Sequence, residues 1–441
     1  MPDLPTRGLA RAARLAALPA AHVGRRAASL GRRLGGQPAE LLTQQVQART
    51  AEQLFTALGD LKGGAMKVGQ WLSAMEAALP DQVAGPYGEA LTRLQEAAPA
   101  LPPGVIHRVL AEDLGPHWRL QLLYFDDTPA AAASIGQVHR ASWSGGQHSR
   151  AVAVKVQYPR AGDALAVDLR QLDRLAPLIR VAAPGVPARD LFAQLRASVM
   201  AETDYEQEAT AQTQFHRALV DDPDFVVPEV VAVTGRVLVS EWVDGTPIAE
   251  VARTGTQPQR DRAGELLVRF LLSSPARVGR LHGDPHPGNF RLTDDGRLVV
   301  LDFGSTLALP HGWPPRLGEL LRAAVDRDAT ALLAVMVDGG LVAPGTVSGQ
   351  RLVETLDPLL APLRVPRFAF SRGWLRSQTT RFSDPRGTAA RVQRHLHVPA
   401  HYLLVQRVLA GTTGVLCTLG ARVRVADEAV TWLPGFHDAA A

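Results

Sequence analysis

The sequence predicts an α+β fold of two lobes, with a helical extension ahead of them and extra C-terminal helices behind. Three observations carry the prediction. Strand-like alternation is confined to residues 120–160, 225–248 and the region of 281–305. Helical periodicity fills the stretches before, between and after these runs. A length of 441 residues suits about two to four domain-sized units, or equally one two-lobed unit with a helical extension.

Composition narrows the classes. Hydrophobic residues make up 46% of the chain, enough for an ordinary core. Lys plus Arg number 47 against 43 Asp plus Glu, a formal charge of +4. With no base-reading motif beside it, this near balance argues against nucleic acid as a partner. The single cysteine, Cys417, rules out an intrachain disulfide and a multi-cysteine metal cage, and reads as a small buried hydrophobe. No uninterrupted apolar run reaches the roughly 20 residues a spanning helix needs.

Residues 1–36 form a basic segment in which seven arginines (7, 11, 14, 25, 26, 32 and 33) face one acid, Asp3. Because the arginines recur throughout, it is no exportable signal peptide. It reads as a basic amphipathic segment on an anionic membrane surface, or as a frayed arginine-bearing helix in water. Residues 37–119 read as a helical extension, with Leu, Phe, Met and Trp on one face and breaks at Pro80, Pro86 and the Leu-Pro-Pro-Gly run at 101–104. Lys67-Val68-Gly69-Gln70 lies near its centre, and periodicity alone makes Lys67 a solvated face residue.

Residues 120–245 read as a nucleotide-binding lobe with inserted helices. A small-residue loop, Ala131 to Gly136, precedes a strand through Val138–Trp143, a Ser-Gly-Gly turn and a second strand, Ala151–Gln157. Small side chains let a backbone approach phosphates, so Ala131, Ala132, Ala133 and Ser134 are candidate nucleotide contacts. Lys155, in Val-Ala-Val-Lys, either neutralises phosphates from its strand or snorkels to water. Helices follow between 162 and 217, interrupted at 184–187, and Glu202, Asp204 and Glu208 crowd one end of the second. A glutamate there is either the partner that holds Lys155 or part of a solvated acidic face. A hairpin around a Thr-Gly turn then leads to Glu241-Trp242-Val243-Asp244-Gly245, where backbone groups of Glu241 and Val243 are candidates for adenine.

Residues 246–441 contain LHGDPHPGNFRLTDDGRLVVLDFGS, residues 281–305. Asp284 precedes Asn289 by five residues, and a strand, an Asp-Asp-Gly turn and a second strand deliver Asp302-Phe303-Gly304. Phosphoryl transfer needs hard-oxygen ligands and an anionic proton acceptor. A base Asp, an Asn five positions on and a later Asp-Phe-Gly are how kinase loops supply them. Asp284 is thus the candidate base, with Asn289 and Asp302 the candidate metal ligands; the plain alternative is a loop of turn-forming residues. Beyond Ser305 the chain reads as helical, with a basic loop near 372–394. Gln406, Arg407 and Gly411 interrupt its last apolar stretch and make that a packed core helix rather than a membrane helix.

Together these motifs resemble the UbiB family (AarF/ADCK) of atypical protein-kinase-like proteins, over roughly residues 40 to 370. The likeness rests on Lys67-Val68-Gly69-Gln70 for the Lys-x-Gly-Gln signature, the alanine-rich Ala131–Ser134 continuing into Ile-Gly-Gln-Val-His, and Val-Ala-Val-Lys155. It rests also on Glu202-Thr203-Asp204 for Glu-x-Asp, Glu208, His-Gly-Asp284 through Asn289, and Asp302-Phe-Gly. The resemblance implies a two-lobed protein-kinase-like fold with ATP and Mg2+ as cofactors. In it Lys67 would engage Glu202 and Asp204 before the site, Lys155 would meet Glu208 and the phosphates, and Asn289 and Asp302 would hold magnesium. It implies ATPase or atypical kinase activity rather than ordinary protein phosphorylation, in support of ubiquinone, another quinone or another isoprenoid lipid. An isoprenoid lipid or quinone intermediate and an anionic membrane are then candidate partners, with the chain cytoplasmic or peripheral at the inner face of the cell membrane. The Asp284–Asn289–Asp302 pattern also resembles choline and aminoglycoside phosphotransferases, which lack the Lys-x-Gly-Gln helix. An ATP-gated scaffold or lipid-extraction protein would use the same nucleotide groups without turnover.

Overall fold

The computed structural model describes residues 101–133, 135–145, 148–159, 200, 203–384, 387–397 and 400–437. The basic N-terminal segment, Lys67, Ser134 and Glu202 lie outside them. The chain divides into two compact units. One includes Tyr205 and the described residues before it, with Thr234–Val237; the other includes Glu206–Val233 and Leu238 onward.

In the first unit α1 (Pro103–Asp113) starts on a proline, whose missing N–H would have no helical partner there. It buries Ile106, Val109 and Leu110 along one stripe. Its end is fastened by Asp113, whose carboxylate accepts from the Arg236 N–H at 2.8 Å and the Thr234 hydroxyl at 3.0 Å. After the short α2 (Trp118–Gln121), β1 (Leu122–Phe125) and β2 (Ala131–Ala133) both pair antiparallel with β3 (Gly136–Gly145). β4 (His148–Gln157) pairs with β3 from Gly136↔Gln157 to Gly145↔His148. Val152, Val154 and Val156 are buried on one face of β4, so Lys155 stands on the other. One expectation is corrected: Ala131–Ala133 is a strand, not a loop. Alanine has little strand preference, but pairing with β3 satisfies backbone groups that a loop would leave to water. Gly136 is required where that hairpin turns, because a Cβ there would lie 2.3 Å from the Val156 carbonyl oxygen.

The helix α3 (Tyr205–Leu219) starts immediately after Asp204 and belongs to the second unit from Glu206 onward, where it buries Glu208, Ala211, Gln212, Phe215 and Leu219. β5 (Phe225–Val226) and the hairpin of β6 (Val230–Val233) and β7 (Val237–Glu241) follow, the hairpin lying where alternation predicts it. Then come β8 (Thr246–Pro247), α4 (Ile248–Thr254) and α5 (Gln257–Val278). A capping box between Thr256 and Gln259 starts α5, and Gly279, at φ +70°, ends it in the left-handed conformation glycine tolerates. β9 (Arg280–His282), β10 (Phe290–Leu292), β11 (Leu298–Val300) and β12 (Thr306–Ala308) build two small sheets, β5-β11-β10-β8 and β12-β9. α5 packs on them through Leu266, Leu267, Phe270 and Leu271, in a core shared with Phe215, Phe290 and Phe303.

The remaining elements are α6 (Pro315–Val325), α7 (Ala329–Asp338), α8 (Gly349–Leu356), α9 (Ala361–Arg364), β13 (Phe368–Ala369), α10 (Arg372–Ser383), α11 (Thr388–Gln393), α12 (Ala400–Leu419), β14 (Arg422–Val423) and α13 (Val425–Trp432). Here a second expectation is corrected: residues 372–394 include two helices rather than a basic loop. Ser371 caps α10 by accepting from the Trp374 N–H at 3.1 Å, and Trp374 and Leu375 anchor it on the core. The packed-helix expectation for α12 holds, with Val405, Val408, Leu416 and Leu419 buried. Cys417 is the small buried hydrophobe expected, its thiol pushed up to about 12 by burial. Among the described residues no helix is long and apolar enough to cross a membrane.

Candidate active site

Two extended segments enclose the 283–305 region and tie its ends together. β9 and β12 pair in the register Thr306↔His282, and the Gly283 N–H donates to the Ser305 carbonyl at 2.7 Å. Between them a tight turn places Asp284 over its own chain: the Asp284 carbonyl accepts from the His286 N–H at 2.8 Å and from Asn289 Nδ2 at 3.0 Å. Asn289 Nδ2 also lies 3.2 Å from Asp284 Oδ2, so one amide orients both the backbone and the carboxylate of Asp284. The Asn289 carbonyl in turn accepts from the Leu301 N–H at 2.8 Å, which brings the Asp302 segment alongside. Asp302 has φ +57°, and its Oδ1 accepts from the Gly304 N–H at 3.2 Å.

His282 joins the two aspartate segments, a role its place in the His-Gly-Asp motif did not disclose. It is 3% exposed, and its Nε2 donates to the Asp302 carbonyl at 2.8 Å while Nδ1 faces the Asp284 N–H at 3.4 Å. Those contacts define a neutral tautomer. Burial holds its pKa below the ordinary histidine value, against the pull of Asp284 and Asp302. Phe303 is buried beside it, with ring centroids 5.4 Å apart, and packs on Phe215 at 4.9 Å. Phe303 thereby anchors the residue after Asp302 to α3. Glu208 is on the buried face of that helix, in phase with Phe215, so the solvated-face reading of Glu208 does not apply.

In the first unit Ala131 and Ala133 share one sheet face with Lys155, while Ala132 stands on the other. Ala131 is opposite Val138, and Val138 is opposite Lys155. Two strand spacings, about 10 Å in all, thus separate the alanine strand from the lysine. Lys155 Nζ lies 5.2 Å from the ring centroid of buried Tyr205, a cation–π geometry. A buried relay also crosses this unit. The Leu101 N–H donates to Gln137 Oε1 at 3.0 Å, Gln137 Nε2 donates to His139 Nε2 at 2.8 Å, and His139 Nδ1 donates to the Asp126 carbonyl at 2.7 Å. The Gln-Val-His tripeptide carried this signal only as part of a motif.

The donor set fits a magnesium ion. Asn289 directs its amide nitrogen to Asp284, and among the described residues no hydrogen-bond partner engages its Oδ1, a hard oxygen of the type magnesium takes. Asp302 carries the carboxylate that such an ion would also need. Glu241 closes β7 with its N–H donated to the Glu229 carbonyl at 2.8 Å, and Trp242 Nε1 bonds Asp244 Oδ1 at 2.8 Å across Val243. Asp204 lies just ahead of α3 rather than within it.

An α+β chain whose second unit offers an Asp–Asn pair and an Asp-Phe-Gly from one loop belongs to the kinase-like class. Residues 93–336, more than half of the chain, match the ABC1 atypical kinase-like domain. The chain therefore belongs to the ABC1 (UbiB/AarF) family of atypical kinase-like proteins. It is 30% identical over 293 residues to the mitochondrial atypical kinase COQ8 of Saccharomyces cerevisiae, covering 66% of this chain and 57% of that one. To its Caenorhabditis elegans counterpart, coq-8, it is 30% identical over 322 residues, covering 71% and 41%. The chain spans about half the length of the curated relatives it matches, between 41% and 57% for these and three similar ones. Among solved structures it resembles Rv3197 from Mycobacterium tuberculosis, determined as a complex with erythromycin. The TM-score is 0.68 at 41% identity, covering 90% of this chain and 99% of that one.

Proposed function

We propose that the chain is a magnesium-dependent ATPase or atypical kinase of the UbiB type that supports the biosynthesis of a quinone or another isoprenoid lipid. The observation that carries this is the Asn289 amide bonded to both the carbonyl and the carboxylate of Asp284. One side chain so placed orients a proton acceptor and presents an oxygen to a cation. In this reading Asp284 takes the proton of an attacking water or hydroxyl onto its carboxylate, and Asn289 keeps that carboxylate aimed. Asn289 and Asp302 would hold the metal, Lys155 the phosphates, Ala131–Ser134 the phosphate backbone, and Glu241 and Val243 the adenine. Glu208 is assigned as the carboxylate partner of Lys155. Lys67, Glu202 and Asp204 are assigned as the cover that keeps protein substrates out. Bound magnesium and ATP would supply the γ-phosphoryl group and neutralise the charge that develops on it.

The test is phosphate release by the full chain with magnesium and ATP, with and without anionic lipid vesicles. Wild type should turn over, and Asp284→Asn should lose on the order of 10²–10⁴-fold in kcat while ATP binding stays within a few-fold. Turnover unaffected by that substitution would remove Asp284 from the chemistry. A second reading, small-molecule phosphotransfer, is favoured by one specific observation. A relative 41% identical was solved with erythromycin, a hydroxyl-bearing macrolide. A phosphorylated macrolide in mass spectra after incubation with ATP would establish that reading, and unmodified macrolide would leave water or a lipid as acceptor.

A further inference from the structure

The three residues that mark α12 as something other than an apolar span are Gln406, Arg407 and Gly411, and two of them touch the Asp284 loop. Arg407 Nη2 donates to the Gly283 carbonyl at 2.9 Å. A Cβ added at Gly411 would lie 2.7 Å from Pro285 Cγ, so the loop rests directly on the helix backbone there. Residues 407 and 411 are one turn apart and share a face, and the residues they meet stand on either side of Asp284. Gly283 is held from its other side as well. Its N–H donates to Ser305, and a Cβ on it would lie 2.8 Å from both Ser305 O and Oγ. The helix behind this contact is fixed in the core by Val408, Val415, Leu416 and Leu419. A glycine inside a helix weakens it, and an arginine half-buried against a backbone carbonyl gives up hydration. Both are explained by close approach of the helix to the loop.

We infer that Arg407 and Gly411 are positioning residues for the candidate base. The C-terminal helix α12 clamps the Gly283 carbonyl and the Pro285 ring, and so fixes the direction of the Asp284 carboxylate. This rests on the reading of Asp284 as proton acceptor. An error of about an ångström in a catalytic group costs on the order of a hundredfold in rate, so loosening the clamp acts on kcat. Nucleotide affinity, assigned to other side chains, stays.

The experiment uses the full chain with Arg407→Met, Arg407→Lys and Gly411→Ala, and Gln406→Ala as a control on the exposed side of the same helix. Phosphate release is measured across ATP concentrations beside thermal melting. Arg407→Met and Gly411→Ala should lower kcat by about tenfold or more with KM for ATP within about twofold. Arg407→Lys should recover part of the loss, and the Met and Ala changes combined should cost less than the product of their separate effects. Gln406→Ala should match wild type. A kcat for Arg407→Met equal to wild type, or an equal loss in Gln406→Ala, overturns the inference. Amide exchange of the 281–289 peptide without nucleotide separates this from the functional reading. Faster exchange in Arg407→Met supports the clamp even where no variant, wild type included, turns over ATP, and unchanged exchange overturns it.

Discussion

At Asp302 the backbone is at φ +57°, a left-handed conformation that costs an L-residue roughly 1–2 kcal/mol. The contacts that hold it there include the Gly304 N–H on Oδ1 and His282 Nε2 on the carbonyl. Asp and Asn are the side chains that tolerate this region best. Asp302→Asn should therefore keep the fold, because an Asn Oδ1 can still accept from Gly304, while losing the negative charge a divalent cation needs. The expected outcome in calorimetric titration is weaker ATP binding in the presence of magnesium and little change in its absence, with the melting temperature close to wild type. Equal loss with and without magnesium would assign Asp302 a structural role only.

Among the elements, β3 does more than its strand pattern announces. Gln137 and His139 point into the first unit, 1% and 0% exposed, and join the chain at Leu101 to the Asp126 turn. Phe125 stacks on the His139 ring at 4.7 Å. His139→Phe would keep an aromatic ring there but leave the Gln137 donor and the Asp126 carbonyl unpaired. It should cost about 1–3 kcal/mol in urea unfolding, the usual penalty for orphaned buried polar groups. The sequence disclosed what is local. The five-residue step from Asp284 to Asn289 and the two strands around the Asp-Asp-Gly turn are set by neighbouring residues and could be read directly. Ala131–Ala133 could not, because its strand exists through pairing with β3 rather than through any preference of alanine. The helices of 372–394 were hidden because arginines obscured the period of Trp374, Leu375, Gln378, Ala389 and Val392. The α12 clamp joins residues 124 apart in sequence, and no short-range pattern encodes that.

Over the whole molecule, stability should depend on pH in two windows, the higher set by buried histidines of both units and the lower by a carboxylate of the second unit. In the second unit, Asp224 lies between Arg262, at 2.6 Å, and Arg269, which also bonds Glu428 at 2.8 Å. These contacts fasten the chain before β5 to α5 and α13. Burial would raise the Asp224 pKa, but the two guanidinium groups outweigh it and hold the carboxyl below its usual range. The unfolded chain then takes up this proton first as pH falls. The contribution is complete above the ordinary carboxylate value of about 3.9 and is lost below it. In the first unit His139 is held below the ordinary histidine value, chiefly by burial, against the pull of the Asp126 carbonyl, Asp127 and Asp126 and with a small push from His107. Again the unfolded chain protonates first, so stability is full above about pH 6.5 and declines below it. Urea midpoints should accordingly be flat from neutral to mildly alkaline pH, fall below about 6.5, and fall further below about 4. His139→Phe should make the upper slope shallower, with His282, depressed by the same burial, leaving a remainder. Asp224→Asn should flatten the lower slope without touching the upper one. If both substitutions leave the profile parallel to wild type, the two buried groups do not govern acid stability, and exposed carboxylates must be sought instead.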